Sequence, residues 1–147
     1  MQFSFTYPTA DVDHDPTLAT RDGMRSVLEA AEASGFSAVG FTDHPIPSRR
    51  WLEAGGHNAL DPFAALAFCA AVTEQIRLMT NVAVVPYRNP FLLAKMVATV
   101  DVLSDGRTIL GAGTGYLRAE YRALGVEFDE RNELFDEALD TILAVWS

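Results

Sequence analysis

Residues 103–116, LSDGRTILGAGTGY, carry the clearest fold signal in this 147-residue chain. An apolar run from Arg107 to Ala112 follows a Ser-Asp-Gly turn and ends in Gly113-Thr114-Gly115. A short run that is apolar on both faces and bounded by turn residues is typical of a buried strand in a parallel sheet. The stretch therefore predicts a strand whose carboxyl end opens into a glycine-rich loop.

Three similar runs lie upstream, and each ends shortly before a proline. Proline removes a backbone donor and stops a buried strand, so each run predicts a short strand with an abrupt carboxyl end. The runs are Phe3 to Tyr7, Ala38 to Thr42 and Ile76 to Val85.

Helical periods separate the predicted strands. The first stops at Gly35, which supplies a left-handed helix end. Asp61-Pro62 and Asn89-Pro90 each place a capping side chain before a proline, and this pattern predicts the start of a helix. The apolar faces of the four predicted helices are Met24, Val27, Leu28 and Ala31; Phe63, Leu66, Ala67 and Ala70; Leu93, Val97 and Val100; and Phe135, Ala138, Leu139, Ile142 and Val145.

The order of elements is strand and helix alternating four times, with strand starts separated by about 30 to 40 residues. A closed parallel barrel needs eight such units and about 250 residues, whereas an open doubly wound sheet of four strands fits this length. Periodicity leaves both α/β architectures open. No linker interrupts the chain, so we expect residues 1–147 to form one domain.

Composition narrows the function classes. Twenty acidic residues against eleven basic ones give a formal net charge of −9, which disfavours nucleic acid and anionic membranes as partners. No apolar run is long enough to span a bilayer and no leader pattern opens the chain, so we expect a cytoplasmic protein. Cys69 lies in an apolar run and predicts a buried thiol. The scattered His14, His44 and His57 predict no metal site, and His57 is given no role.

Polar residues follow the second strand, where parallel folds gather their ligands. Asp43 and His44 stand at its end, before a loop of about sixteen residues that reaches Leu60, and loops of such length are often functional. His44 either donates a proton or a hydrogen bond to a ligand, or caps the strand. Arg49 and Arg50 either hold an anionic group or are solvated.

The glycine-rich loop leaves two interpretations open. Gly111-Ala112-Gly113-Thr114-Gly115 lacks the third glycine of the dinucleotide fingerprint, because Tyr116 takes that place. It matches the turn of methyltransferases that use S-adenosylmethionine, although their preceding acidic residue is Ile109 here. Alternatively, the glycines let the backbone pass close to a neighbour or a ligand. Farther on, eight acidic residues between Glu120 and Asp140 predict a solvated helix face.

Five motifs occur in a fixed order along the chain: Gly35-Phe36 leading into Phe41-Thr42-Asp43-His44; Pro86-Tyr87-Arg88-Asn89-Pro90 with Leu93-Ala94-Lys95; Leu103-Ser104-Asp105-Gly106-Arg107; Gly111 to Tyr116; and Glu120-Tyr121. Together they resemble the luciferase-like monooxygenase superfamily, and within it the oxidoreductases that use the deazaflavin coenzyme F420. The resemblance implies a TIM (β/α)8 barrel, of which this chain would hold the first four βα units.

The resemblance also implies site roles. His44 matches a histidine beside the flavin or deazaflavin ring, in proton transfer or in holding the substrate, and Asp43 matches an orienting partner. Asn81-Val82 falls where the family carries a non-prolyl cis peptide that backs the ring. We assign Gly113 and Thr114 to cofactor binding as well.

One position departs from the pattern. The F420-dependent sugar-phosphate dehydrogenases of the superfamily place a glutamate after these glycines, where this chain has Tyr116. Their proton-donor assignment does not transfer, and a sugar phosphate is not the expected substrate. Trp51 is left unassigned, because the loop lengths around the corresponding tryptophan differ.

The expected function is therefore hydride transfer between coenzyme F420, or alternatively FMN, and a small organic substrate, with monooxygenation if reduced flavin meets oxygen. The resemblance places the phosphate anchor of the coenzyme late in the barrel, outside this sequence, so we expect the chain to be incomplete or inactive by itself. The alternative is a non-catalytic half-barrel that pairs with itself or with another chain, because its outer strands would lack partners. Of these partners, we expect a second copy of the chain, which makes a homo-oligomer.

Overall fold

Parallel strands flanked by helices make up the fold, as strands apolar on both faces require. The computed structural model describes residues 1–9 and 15–147, so His14 lies outside the described residues. The strands are β1 (Ser4–Thr6), β2 (Ala38–Phe41), β3 (Arg77–Thr80), β4 (Ala83–Val84), β5 (Thr108–Ile109) and β6 (Ala112–Gly113). The helices are α1 (Arg21–Ala33), α2 (Arg49–Glu53), α3 (Pro62–Val72), α4 (Pro90–Leu103), α5 (Arg118–Leu124) and α6 (Arg131–Trp146), with 3₁₀ turns at Pro16–Ala19 and Val85–Tyr87.

The main sheet has four parallel strands in the order β1-β2-β3-β5. Ala38 of β2 aligns with Ser4 on one side and with Arg77 on the other, and Leu78 of β3 aligns with Thr108. β4 and β6 form a separate parallel pair. Because all these strands run in one direction, the residues after β2, β4 and β6 meet at one edge.

The third and fourth predicted strands are each broken in two, so the prediction of one continuous strand for each was wrong. The breaks coincide, because Thr80 Oγ1 and Ala83 N–H both donate to the carbonyl of Gly111, at 2.7 and 2.8 Å. A Cβ atom at Gly111 would come within 2.2 Å of the Thr80 carbonyl oxygen. A run of apolar residues does not reveal this kink, and only the glycine hints at it.

The predicted helix starts are confirmed. Asp61 Oδ1 accepts a hydrogen bond from Ala64 N–H at 2.8 Å, and Asn89 Oδ1 accepts one from Phe91 N–H at 3.0 Å. Gly35 has a φ of 80° and ends α1 as predicted. Both prolines stand at the first helical turn, where their missing N–H costs no hydrogen bond.

The predicted apolar faces hold for α4 and only partly for α3 and α6. In α3, Phe63 and Leu66 are buried, but Ala65 and Cys69 are buried in place of Ala67 and Ala70. A helix that is apolar almost all round does not reveal which face the core takes. In α6, Val145 is 49% exposed, so the predicted face extends too far.

Two buried clusters hold the layers together. One lies between α1, α3 and the main sheet, and the other lies between α4, α6 and the β4 and β6 pair. The predicted burial of Cys69 is confirmed, and burial raises the pKa of its thiol to about 12. The clusters leave the carboxyl edge of the strands free for a site.

Candidate active site

A cavity of about 390 Å³ opens at the carboxyl edge of the strands. Its walls come mainly from three segments: residues 42–44 after β2, residues 81, 82 and 84 around the break between β3 and β4, and residues 114–116 after β6. Five of the six predicted site residues line it, namely Asp43, His44, Asn81, Val82 and Thr114.

His44 lies in an aromatic enclosure that leaves 10% of its side chain exposed. Its ring centroid lies 4.6 Å from that of Trp51, 5.1 Å from that of His57 and 6.0 Å from that of Tyr116. The loop after β2 folds back through the short helix α2, which brings Trp51 and His57 to the site. The imidazole is thus packed on several sides and held in one place.

Trp51 and His57 were left without a role in the sequence, and this was the main omission in the loop. One signal was available: Ser48 caps α2 by accepting a hydrogen bond from Trp51 N–H at 3.3 Å. Gly56 is the second signal, because a Cβ atom there would come within 2.4 Å of the Trp51 ring. Arg49 and Arg50, by contrast, lie exposed on α2.

Glu120 is a buried carboxylate beside His44 that the acidic pattern concealed. The prediction of a solvated face was wrong for Glu120, which is 1% exposed, while the other seven acidic residues up to Asp140 are exposed. Its Oε1 accepts a hydrogen bond from Ile46 N–H at 3.3 Å, and its Oε2 lies 3.4 Å from His44 Nδ1. Its place in the Glu120-Tyr121 motif was the available signal, and the structure buries Tyr121 fully as well.

Tyr87 completes the group around this carboxylate. Its hydroxyl donates to Glu120 Oε2 at 3.0 Å, and its ring centroid lies 4.8 Å from that of Tyr121. Burial raises the pKa of the Tyr87 hydroxyl, and the charge of Glu120 raises it further. Tyr87 therefore remains a proton donor to the carboxylate.

Asp43 stands next to His44 in the sequence, but its side chain orients Arg88 instead. Its carboxylate pairs with Arg88 through two hydrogen bonds, of 2.5 and 2.9 Å, and accepts Val84 N–H at 2.8 Å. Burial acts to lower the pKa of Arg88, but the bond and charge of Asp43 outweigh it and raise that pKa. Among the described residues its hydrogen bonds reach β4 and Arg88 rather than His44.

The remaining predicted residues lie at the break between β3 and β4 and at the end of β6. The Asn81-Val82 peptide bond is cis, as the resemblance implies, and Asn81 Nδ2 donates to Thr6 Oγ1 at 3.0 Å. Val82 is 41% exposed. Gly113 lies behind it, where a Cβ atom would come within 2.8 Å of Val82 Cγ2, so this glycine serves close backbone approach. The carbonyl of Thr114 accepts a hydrogen bond from the Tyr121 hydroxyl.

One polar atom in the cavity wall lacks a partner. Thr42 Oγ1 is buried and makes no hydrogen bond within residues 1–9 and 15–147. Buried polar atoms without partners are rare in folded proteins, so such an atom beside a cavity indicates a place for a ligand. In the same described part of the chain, no three His, Cys, Asp or Glu side chains group as metal ligands. None of the described helices is long and apolar enough to cross a membrane.

The whole chain, residues 1–147, matches the luciferase-like monooxygenase family. An F420-dependent glucose-6-phosphate dehydrogenase of Kribbella flavida is 37% identical over 139 residues, covering 88% of this chain and 40% of that protein. The monooxygenase RslO1 of Streptomyces bottropensis superposes with a TM-score of 0.84 at 28% identity, over 99% of this chain and 43% of that one. The chain belongs to the luciferase-like monooxygenase family.

A third comparison concerns the fold. The oxygenating constituent of 3,6-diketocamphane monooxygenase from Pseudomonas putida, solved with FMN, superposes with a TM-score of 0.81 at 20% identity, over 99% of this chain and 39% of that one. The chain spans well under half of the length of its curated relatives. It covers 40% of the Kribbella flavida protein and 33% of an uncharacterised protein of Sinorhizobium fredii. Membership of this family replaces the methyltransferase interpretation of the glycine-rich loop.

Proposed function

We propose that this chain forms the first four βα units of a TIM barrel and one wall of an oxidoreductase site. In that site a hydride moves between coenzyme F420, or alternatively FMN, and a small organic substrate. The observation that carries the proposal is the cavity at the carboxyl edge, which both His44 and Val82 line. The strand order supports a barrel, because it follows the chain without the reversal that defines a doubly wound sheet.

The cavity fits the ring of such a coenzyme. A flavin or deazaflavin ring has apolar faces and a polar rim, and the cavity offers the side chains of Val82 and Val84 together with polar groups of Asn81 and Thr114. The unpartnered Thr42 hydroxyl is placed to bond to a rim atom. These residues would hold the ring, and the coenzyme when bound supplies the hydride chemistry.

His44 would handle the proton that accompanies the hydride. Glu120 lies beside Nδ1, so Nε2 is the ring nitrogen left for the substrate. Trp51, His57 and Tyr116 shield the imidazole from water, which strengthens any hydrogen bond that it makes to a ligand. The side chain is therefore suited to hold or move one proton at a fixed position.

We propose F420 rather than FMN as the coenzyme because of the sequence identities to the relatives. The Kribbella flavida relative, at 37% identity, is named for F420, whereas the FMN complex shares 20% identity and supports the fold alone. We propose a substrate other than a sugar phosphate. The sugar-phosphate dehydrogenases of the family have a glutamate after the glycines, and this chain has Tyr116 there, which is 64% exposed. A small organic molecule that contacts an aromatic ring fits this edge of the cavity.

Ring binding can be measured without a phosphate anchor. We expect a phosphate-free deazaflavin chromophore to quench the fluorescence of Trp51 saturably, and more strongly than lumiflavin, the isoalloxazine ring of FMN without its phosphate chain. The variant Trp146→Phe leaves Trp51 as the only tryptophan. Val82→Arg should weaken binding by about tenfold or more, because a charged chain fills the cavity wall.

Val102→Arg is the matched control, because Val102 is 77% exposed on α4, away from the cavity. It should leave the titration unchanged. Tight binding of the flavin ring without the deazaflavin would overturn the preference for F420. Equal binding by Val82→Arg and Val102→Arg, or no saturable quenching by either ring, would overturn the site.

A second proposal is that the chain associates with a second copy of itself. The outer edges of β1 and β5 pair with no other strand of the described chain, and open edges favour association. On α6, Leu143 and Trp146 are 62% and 43% exposed, and Trp146 lines a cavity with Thr108 of β5. Light scattering after size exclusion should show a dimer that Leu143→Lys weakens. A monomer at every concentration would contradict this proposal.

A further inference from the structure

We propose that Glu120 is a positioning residue that holds neutral His44 with its proton on Nδ1, so that Nε2 faces a ligand as a hydrogen-bond acceptor. The proton position is a property of the chain itself. The use of Nε2 toward a substrate rests on the proposed function.

The first step is that Glu120 accepts hydrogen bonds and does not donate them. Its carboxylate is 1% exposed and accepts from two donors. Ile46 contributes a backbone N–H, which can only donate, at 3.3 Å from Oε1. Tyr87 contributes a hydroxyl at 3.0 Å from Oε2, and His44 Nδ1 lies 3.4 Å from the same oxygen. An ionised carboxylate has only lone pairs to offer to any of these partners.

The second step concerns the imidazole. A neutral histidine carries one proton, and the partner of one nitrogen decides which nitrogen holds it. Since Glu120 offers only acceptors, Nδ1 must carry the proton to make a hydrogen bond there. The 3.4 Å separation is long, as such contacts often are before a ligand binds. The lone pair of the ring then lies on Nε2.

The third step excludes competing partners in the described chain. Asp43, next in sequence, has its carboxylate committed to Arg88 and Val84. His57 contacts His44 ring to ring, and its own Nδ1 lies 2.9 Å from the carbonyl of Asn58. Two further titratable neighbours make no hydrogen bond to His44: the ring centroid of Tyr116 is 6.0 Å away, and Asp61, which lines a second cavity with His44, caps α3 and lies 3.5 Å from Arg88. Glu120 is thus the group that selects the tautomer.

The variant Glu120→Gln makes the inference testable, because its amide has one acceptor and one donor end. The amide oxygen must stay on Ile46 N–H, since that group cannot accept. The amide nitrogen then faces Tyr87 and His44. The Tyr87 hydroxyl can rotate to accept, but His44 can accept at Nδ1 only by moving its proton to Nε2. The substitution is therefore expected to invert the tautomer while keeping the shape of the side chain.

The experiment is NMR on the full chain labelled with ¹⁵N at histidine, above the pH range in which histidine ordinarily titrates. Long-range ¹H–¹⁵N correlations distinguish the protonated ring nitrogen from the bare one. We expect the proton on Nδ1 of His44 in the wild type and on Nε2 in Glu120→Gln, with His57 unchanged. His44→Gln assigns the signals, and Glu133→Gln, at an exposed site on α6, is the matched control.

A wild-type His44 with its proton on Nε2 would overturn the proposal, even if Glu120→Gln failed to fold. A folded Glu120→Gln that kept the wild-type tautomer would also overturn it. These spectra need no coenzyme, so their result is independent of the Trp51 titration that tests the proposed function. Tyr87→Phe should keep the proton on Nδ1, because Glu120 retains its charge.

Discussion

Replacing Arg107 with alanine is expected to lower the free energy of unfolding by about 3 kcal/mol, because hydrogen bonds from charged groups contribute more than neutral ones. The guanidinium donates at 2.8 Å to the carbonyl of Ser104 and at 2.8 Å to that of Ile76. It also donates at 2.9 Å to both the hydroxyl and the carbonyl of Thr73. These acceptors lie at the ends of α3 and α4 and at the start of β3, so one side chain ties three elements together.

The variant Arg107→Lys tests whether the stability comes from the planar guanidinium, with its several donors, or from the positive charge alone. An ammonium group cannot reach acceptors on three elements at once, so Arg107→Lys should retain less than half of the contribution. Arg77→Lys is the matched control, because Arg77 is exposed and its side chain makes one hydrogen bond within the described residues, to Gln2 Oε1 at 3.3 Å. Urea denaturation measures all three variants. Similar losses for Arg107→Lys and Arg77→Lys would contradict this account.

Much of the fold was predictable because its causes are local. A capping side chain followed by proline, as at Asp61 and Asn89, acts within one helical turn, and the structure has both caps. The breaks in the third and fourth strands depend instead on how Gly111 approaches Thr80, a contact between segments 31 residues apart. The hydrophobic pattern contains no information about such a contact.

The site divides in the same way. His44 was found because it directly follows a predicted strand, where parallel folds gather ligands. Glu120 was assigned to a solvated face because it begins an acidic stretch, although it also stands beside Tyr121 in one of the five motifs. Its hydrogen-bond partners, His44 and Tyr87, are 76 and 33 residues away in sequence. The contact of Glu120 with these two residues appears only in the folded chain, and it explains why this one of the eight acidic residues is buried.

Removing one partner of the Asp43–Arg88 ion pair should destabilise the fold strongly. Asp43→Ala is expected to lower the free energy of unfolding by about 3–5 kcal/mol, because it leaves a largely buried guanidinium and the Val84 N–H without their partner. The side chains of Asp43 and Arg88 are 1% and 15% exposed. Asp61→Ala is the matched comparison, because Asp61 also lies near Arg88, at 3.5 Å, but is 54% exposed. It should cost about 1 kcal/mol, mostly from the lost cap of α3.

Removing the charge of Arg88 as well should restore part of the loss. In the double variant Asp43→Ala with Arg88→Met, no unpaired charge stays buried, so the cost should fall to about 1–3 kcal/mol, the penalty of the orphaned Val84 N–H. Urea denaturation of both single variants and the double variant gives the coupling between the two residues. Additive losses, or equal losses for Asp43→Ala and Asp61→Ala, would show that the pair does not fix β4. Because Val84 lines the cavity next to this bond, a Trp51 titration of folded Asp43→Ala should also show weaker ring binding.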